Sequence, residues 1–127
     1  MLNKNDLNEY FFKGIKDKKK LKIGVEHEKF VLRKNDFYQV SYEMQNGIKD
    51  ILLRFVKNGW KPKYDEEEKT IIALERFGES ITLEPGGQIE LSGAQLNNIH
   101  QTCTETTRHL KELKEIGQEF NFILLGL

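Results

Sequence analysis

The stretch Ser80-Ile81-Thr82-Leu83-Glu84-Pro85-Gly86-Gly87-Gln88-Ile89-Glu90-Leu91 alternates polar and apolar residues on both sides of a Pro-Gly pair. A period of two is the mark of a strand with one face against a core. Pro85-Gly86 suits the centre of a type II turn, where proline presets φ and glycine accepts a positive one. The segment therefore predicts two strands, residues 80–84 and 88–91, reversing through a tight turn. Glu84 and Glu90 lie on either side of that turn, and their spacing alone does not bring them together.

An earlier stretch, Glu26-His27-Glu28, sits among Ile23, Val25, Phe30 and Val31 and reads as part of a long strand over residues 21–33. Residues two apart in a strand share a face, so Glu26 lies beside Glu28, with His27 on the opposite side. Like charges held close in a partly buried place are costly unless cations neutralise them, and sets of oxygen ligands favour Mg²⁺ or Mn²⁺. The chemistry this suggests is metal-assisted phosphoryl transfer. Taken alone, the same pair fits a solvated strand face, because acidic side chains mostly sit in water, and either Glu84 or Glu90 could pair with a lysine.

Around these segments the pattern alternates helices and strands. Leu7, Tyr10, Phe11 and Ile15 predict a short helix over residues 6–15, with Asn5 or Asp6 as its cap and Gly14 near its end. A lysine-rich connector, Lys18-Lys19-Lys20 and Lys22, reads as solvated chain. Met44, Ile48, Ile51, Leu52 and Phe55 predict a second helix over residues 43–56, stopped by Asn58-Gly59. Extended chain over 60–64, an acidic turn over 65–68 and a strand over 70–76 follow, and the last of these turns at Gly78 into the strand at 80–84. Residues 96–120 predict the longest helix, and residues 121–127 a strand buried on both faces. Phe11, Phe12, Phe30, Phe55 and Trp60 are assigned to the core. Together these elements predict an α+β domain: a mostly antiparallel sheet of five or six strands with helices packed on one side.

Composition narrows the function. The 127 residues carry 20 Lys plus Arg against 20 Asp plus Glu, so no general electrostatic attraction to nucleic acid exists, nor is a nucleic-acid motif present. The longest apolar run, Phe122-Ile123-Leu124-Leu125, is far short of the ~20 residues of a membrane-spanning helix. The first residues lack the pattern of a secretory signal, which gives the expectation of a cytoplasmic protein. The single cysteine, Cys103, offers no disulfide within the chain and reads as a buried thiol on the apolar side of the long helix. His100 and His109 are nine apart on that helix, not the spacing of a zinc pair, and His27, His100 and His109 are read as structural. No Walker-type phosphate loop occurs. The apolar ending predicts either that the chain is part of a longer protein or that a partner completes its sheet.

The segments Ile23-Gly24-Val25-Glu26-His27-Glu28-Lys29-Phe30 and Ser80 to Ala94, continuing through Ile99-His100-Gln101-Thr102-Cys103-Thr104-Glu105, resemble the plant and proteobacterial type of glutamate-cysteine ligase. The spacing of Asn8-Glu9-Tyr10-Phe11 with Gly14, and of Gly59-Trp60-Lys61-Pro62, is similar too. The resemblance covers essentially the whole chain but only the N-terminal part of a single, incomplete catalytic domain of the glutamine-synthetase-like superfamily.

The resemblance implies an ATP-dependent ligase. Such an enzyme phosphorylates the γ-carboxylate of glutamate, and cysteine then attacks to give γ-glutamylcysteine, the first step of glutathione synthesis. It implies Glu26, Glu28 and Glu90 as ligands of Mg²⁺ or Mn²⁺, Glu84 as a further ligand or supporting group, and Gln88, Gly86 and Gly87 at nucleotide or substrate. On this reading residues 1–127 are inactive alone and need the remainder of the ligase or a partner. Two alternatives stand beside it: a ligase joining glutamate to another amine, and a non-catalytic partner-binding module built on a ligase-like sheet.

Overall fold

The computed structural model describes residues 2–67 and 69–126. Glu68, at the end of the expected acidic turn, and Leu127, at the end of the expected last strand, lie outside the described residues. In chain order the elements are α1 (Lys4–Gly14), β1 (Glu26–Arg33), α2 (Ile48–Lys57), β2 (Lys61–Tyr64), β3 (Ile71–Arg76), β4 (Glu79–Glu84), β5 (Gln88–Ser92), α3 (Ile99–Phe120) and β6 (Phe122–Gly126). The six strands form one sheet in the order β2-β3-β4-β5-β1-β6. Every neighbouring pair is antiparallel, as expected of an α+β fold.

Alternation along the strands divides the sheet into two unlike faces. Val31, Leu74, Ile81, Ile89 and Leu91 point to one side, where Ile48, Ile51, Leu52 and Phe55 of α2 and Leu113 and Ile116 of α3 cover them. Burying a side chain of this size contributes ~1.5–3 kcal/mol each, so this layer holds the fold together. Trp60 stands edge-on to Phe55 with ring centroids 5.8 Å apart. The Arg76 guanidinium lies over the Trp60 ring at 4.2 Å and makes two bonds of 2.8 Å to Glu112. Glu79, its side chain fully buried, takes Arg76 at 3.2 Å and Arg108 at 2.6 Å.

The helix ends follow capping chemistry. Asn3, not the expected Asn5 or Asp6, caps α1: its side chain accepts from the N–H groups of Asn5 and Asp6, and Asp6 returns a bond to the Asn3 N–H. The start of α2 comes five residues later than its apolar spacing predicts. Residues 41–47 fold back instead, with Ile48 and Lys49 donating to the carbonyls of Ser41 and Tyr42. Gly47 is required there, since a Cβ would stand 2.5 Å from the Ser41 and Met44 oxygens. At the other end Asn58 and Gly59 stop α2 as expected, Gly59 at φ +92°. Asn98 caps α3, and Asn121 ends it in the left-handed conformation.

Several expectations are corrected. No residue of α1 is buried, and Phe11 and Phe12 are exposed rather than part of the core; only α2 and α3 cover the sheet. Phe30 is half-buried on the face away from the helices. Cys103 is exposed, because the buried stripe of α3 runs through Thr102, Glu105, His109, Leu113 and Ile116 and leaves position 103 outside it. The strand β1 begins at Glu26, not at residue 21, since residues 18–20 form a 3-10 turn capped by Asp17. In β6, Phe122 is buried, Ile123 and Leu124 are half-buried and Leu125 is exposed. Among the described residues it pairs only with β1, so it is an edge strand and not one buried on both faces.

Candidate functional site

The helix-free face of the sheet carries the acids. In register, Glu28 of β1 lies opposite Glu90 of β5, which lies opposite Thr82 of β4. One step along, Glu26 faces Ser92 and Ser92 faces Ser80. One step the other way, Glu84 pairs with Gln88. Neighbouring strands are ~4.8 Å apart, so these three central strands gather Glu26, Glu28, Glu84 and Glu90 on one patch. Glu26 and Glu28 are exposed, Glu84 is half-buried and Glu90 is buried.

Glu90 is held on both oxygens. The Thr82 hydroxyl donates to one at 3.2 Å and the Ser92 hydroxyl to the other at 3.1 Å. Glu84 lies on the same face across the turn. A hydrogen bond with Glu90, then burial, then the charges of Glu90, Glu28 and Glu26 push the Glu84 carboxyl above the usual carboxylate range. Among the described residues no lysine or arginine forms a salt bridge with any of the four acids. Lys63, on the same face, is paired with Glu75.

The turn between β4 and β5 has the expected shape. The Gly87 N–H donates to the Glu84 carbonyl at 3.0 Å, with Gly86 at φ +81° and Gly87 at φ +72°. A Cβ on Gly86 would lie 3.5 Å from the Phe30 ring, and one on Gly87 3.4 Å from the Gln39 amide. The nearest neighbours of these glycines are therefore residues of the chain itself, and positive φ accounts for glycine at both positions. Gln88 donates to the Pro85 carbonyl at 3.3 Å, while its own side-chain oxygen is buried without a partner among the described residues.

The opposite side of β1 was read from sequence only as far as His27. Lys29 also points beneath the sheet and is buried, its ammonium without a hydrogen-bond partner among the described residues. Burial lowers its pKa to about 8. His109 is completely buried, stacked on Phe55 with centroids 6.0 Å apart, and neither ring nitrogen has a partner among the described residues. Burial, followed by the charges of Lys29, His27, Arg76 and Arg108, lowers its pKa to about 3. Glu105 takes the Ala94 N–H at 2.9 Å and fixes the chain leaving β5. His100 is exposed on the first turn of α3.

Thr82 and Ser92 were missed as parts of the patch, although the signal was available: each lies two residues from an acid on its own strand, and so on the same face. Among the described residues no three His, Cys, Asp or Glu side chains are grouped so that they could hold a metal ion. The donor set nonetheless fits a hard divalent cation, being oxygen only, crowded and without a cationic partner.

Comparison with known proteins decides the family. The sequence model of glutamate-cysteine ligase family 2 matches residues 22–127. The chain belongs to glutamate-cysteine ligase family 2. Similar proteins include glutamate-cysteine ligase B, chloroplastic, of Oryza sativa subsp. japonica, 41% identical over 99% of the chain and 25% of that protein. Glutamate-cysteine ligase, chloroplastic, of Arabidopsis thaliana is 42% identical over 99% of the chain and 23% of its own length. The Medicago truncatula protein of the same name is 40% identical over 99% and 24%. The chain thus spans about a quarter of the length of the curated family members it matches. These names correct the expectation of a cytoplasmic protein, since all three are called chloroplastic. That expectation rested on a secretory pattern, which says nothing of plastids.

Proposed function

We propose that this chain supplies the N-terminal part of an ATP-dependent glutamate-cysteine ligase, and that Glu26, Glu28, Glu84 and Glu90 form one wall of its active site and hold Mg²⁺ or Mn²⁺. The observation that carries the reading is the pairing of Glu28 with Glu90 in register, with Glu26 and Glu84 one step away on the same face. Acids so crowded and unpaired are stabilised by a divalent cation. The cation would neutralise the charge that spreads over the oxygens of a phosphoryl group in transfer from ATP to the γ-carboxylate of glutamate.

The chain's own part is orientation. The flat strands fix the spacing of the acids, and the Pro85-Gly86-Gly87 turn returns Gln88 beside Glu84, at the end of the patch where nucleotide or substrate would approach. Cysteine, as the attacking amine, would be bound largely by residues outside this chain. An antiparallel sheet with helices on one face and carboxylates on the other also supports a glutamine-synthetase-like catalytic fold. The outer edge of β6, with Leu125 exposed, is an unpaired strand of the kind another segment covers. We assign that edge to the remainder of the ligase.

The test is a titration of chain 1–127 with Mn²⁺, followed by electron paramagnetic resonance. Saturable binding that E28Q combined with E90Q weakens by ~100-fold or more supports the wall. Binding that ignores both substitutions overturns it. In the same preparation, ATP and cysteine should yield no γ-glutamylcysteine; efficient synthesis by chain 1–127 would overturn the assignment of catalytic residues to a further portion of the ligase.

A further inference from the structure

We infer that Thr82 and Ser92 are positioning residues, which clamp the two oxygens of Glu90 so that its carboxylate and that of Glu28 open toward the same point above the sheet. The inference rests on the reading of this face as a metal-binding wall and adds to it the parts that aim one ligand.

Glu90 differs from the other three acids in being buried. A carboxylate crowded by Glu84 and Glu28 would relieve repulsion by turning its side chain away. Two hydroxyls oppose that escape. Thr82 approaches from the neighbouring strand, at the position directly opposite Glu90, and Ser92 from two residues along the same strand. Their bonds fall on different oxygens, at 3.2 and 3.1 Å. A carboxylate oxygen accepts two hydrogen bonds or ligands. One donor on each oxygen therefore fixes the plane of the group and leaves each oxygen one free lone pair. A hydroxyl, as a neutral group, does not compete for a cation as lysine would.

The arrangement is also placed correctly along the sheet. Glu28 sits on the side of Glu90 away from Thr82, so the clamp comes from one flank and the second acid from the other. Supporting groups that orient metal ligands commonly change metal affinity by ~10–100-fold when removed.

The test measures Mn²⁺ affinity of chain 1–127 by electron paramagnetic resonance, with far-ultraviolet circular dichroism and a thermal melt to follow the fold. T82V keeps the shape and removes the hydroxyl, S92A does the same at the end of the strand, and T82S restores the donor. The expected result is a loss of ~10-fold in T82V and in S92A, with T82S within about twofold of the parent chain. Should T82V unfold, S92A together with T82S decides the matter. Unchanged affinity in the hydroxyl-free variants, while E90Q still weakens binding, overturns the positioning role and leaves the wall intact. Equal losses in T82S and T82V overturn it as well, since the hydroxyl is then not what matters. No Mn²⁺ binding by the parent chain overturns the wall itself, and the clamp with it.

Discussion

Glu84 and Glu90 stand on the same face of the sheet, on either side of the Pro85-Gly86-Gly87 turn. The turn is thus more than a connection, because it sets how closely two like charges approach before a counter-ion enters.

Glu84 carries a pH signature. Its folded pKa is raised, so its favourable contribution is complete below the ordinary glutamate value of ~4.3 and is lost as pH rises through the raised one. Urea denaturation at a series of pH values should show stability falling over that window in the parent chain and falling less in E84Q. Millimolar Mn²⁺ should reduce the difference at neutral pH. Identical pH profiles for the two chains would show that its neighbours do not raise the Glu84 pKa.

His109 predicts the opposite slope on the acid side. Buried without partners, it is held to a pKa of about 3, whereas the unfolded chain takes up the proton near ~6.5. Stability that is complete above that value should be lost progressively toward pH 3, by roughly 3–5 kcal/mol in all. H109L, which removes the titrating ring from an apolar setting, should flatten this part of the curve. Proton uptake by His109 near pH 6 in a ¹H–¹⁵N spectrum of the folded chain would rule the mechanism out.

Lys29 acts in the alkaline range. Its pKa of about 8 lies below that of an unfolded lysine, ~10.4, so stability should increase as pH rises between the two. K29M keeps the length of the side chain and removes the buried charge. It should raise stability at pH 7 by ~1–3 kcal/mol and abolish the alkaline rise, as read by chemical denaturation at pH 7 and pH 10.

Arg76 is the converse case, a buried cation with full partners. Burial alone would lower its pKa, but the bonds and charges of Glu112 and Glu79 raise it above its ordinary value. R76A leaves the fully buried Glu79 with Arg108 as its remaining partner, takes both bonds from Glu112 and removes the contact over Trp60. A loss of ~3–5 kcal/mol is expected from breaking a buried pair on one side. E112Q, which keeps the shape of the partner, should cost less. A thermal melt of both variants orders them.

What could be read from sequence and what could not divide along physical lines. Alternation around Glu84 and Glu90 and around Glu26 and Glu28 placed these residues in strands, and Glu26 and Glu28 on one face, because a period of two depends only on backbone geometry; it set the start of β1 too early. The convergence of Glu84 with Glu90 could not be read, because it depends on the registers of β4 with β5 and of β5 with β1. The exposure of Phe11 and Phe12 could not be read either. Helical spacing reports that a face is apolar, not that something covers it. Lys29 escaped notice for a related reason. A lysine in a strand is expected to reach solvent, and only the position of α3 beneath β1 closes that path. The wrong cap for α1 came from taking the nearest polar residue, when Asn3 and Asp6 satisfy the reciprocal pattern three residues apart.

The strict alternation of β1 has a last consequence, for assembly of the chain. Glu26, Glu28 and Phe30 occupy one side, His27, Lys29 and Val31 the other, and a slip of one residue exchanges the two sets. The slipped strand would press Glu28 into an apolar layer beneath β5 and lift Val31 into water. Both errors are heavily penalised, so a chain that has buried Val31 has, by the same step, set Glu28 beside Glu90. The patch therefore needs no separate stage of maturation: it is in register as soon as the sheet is.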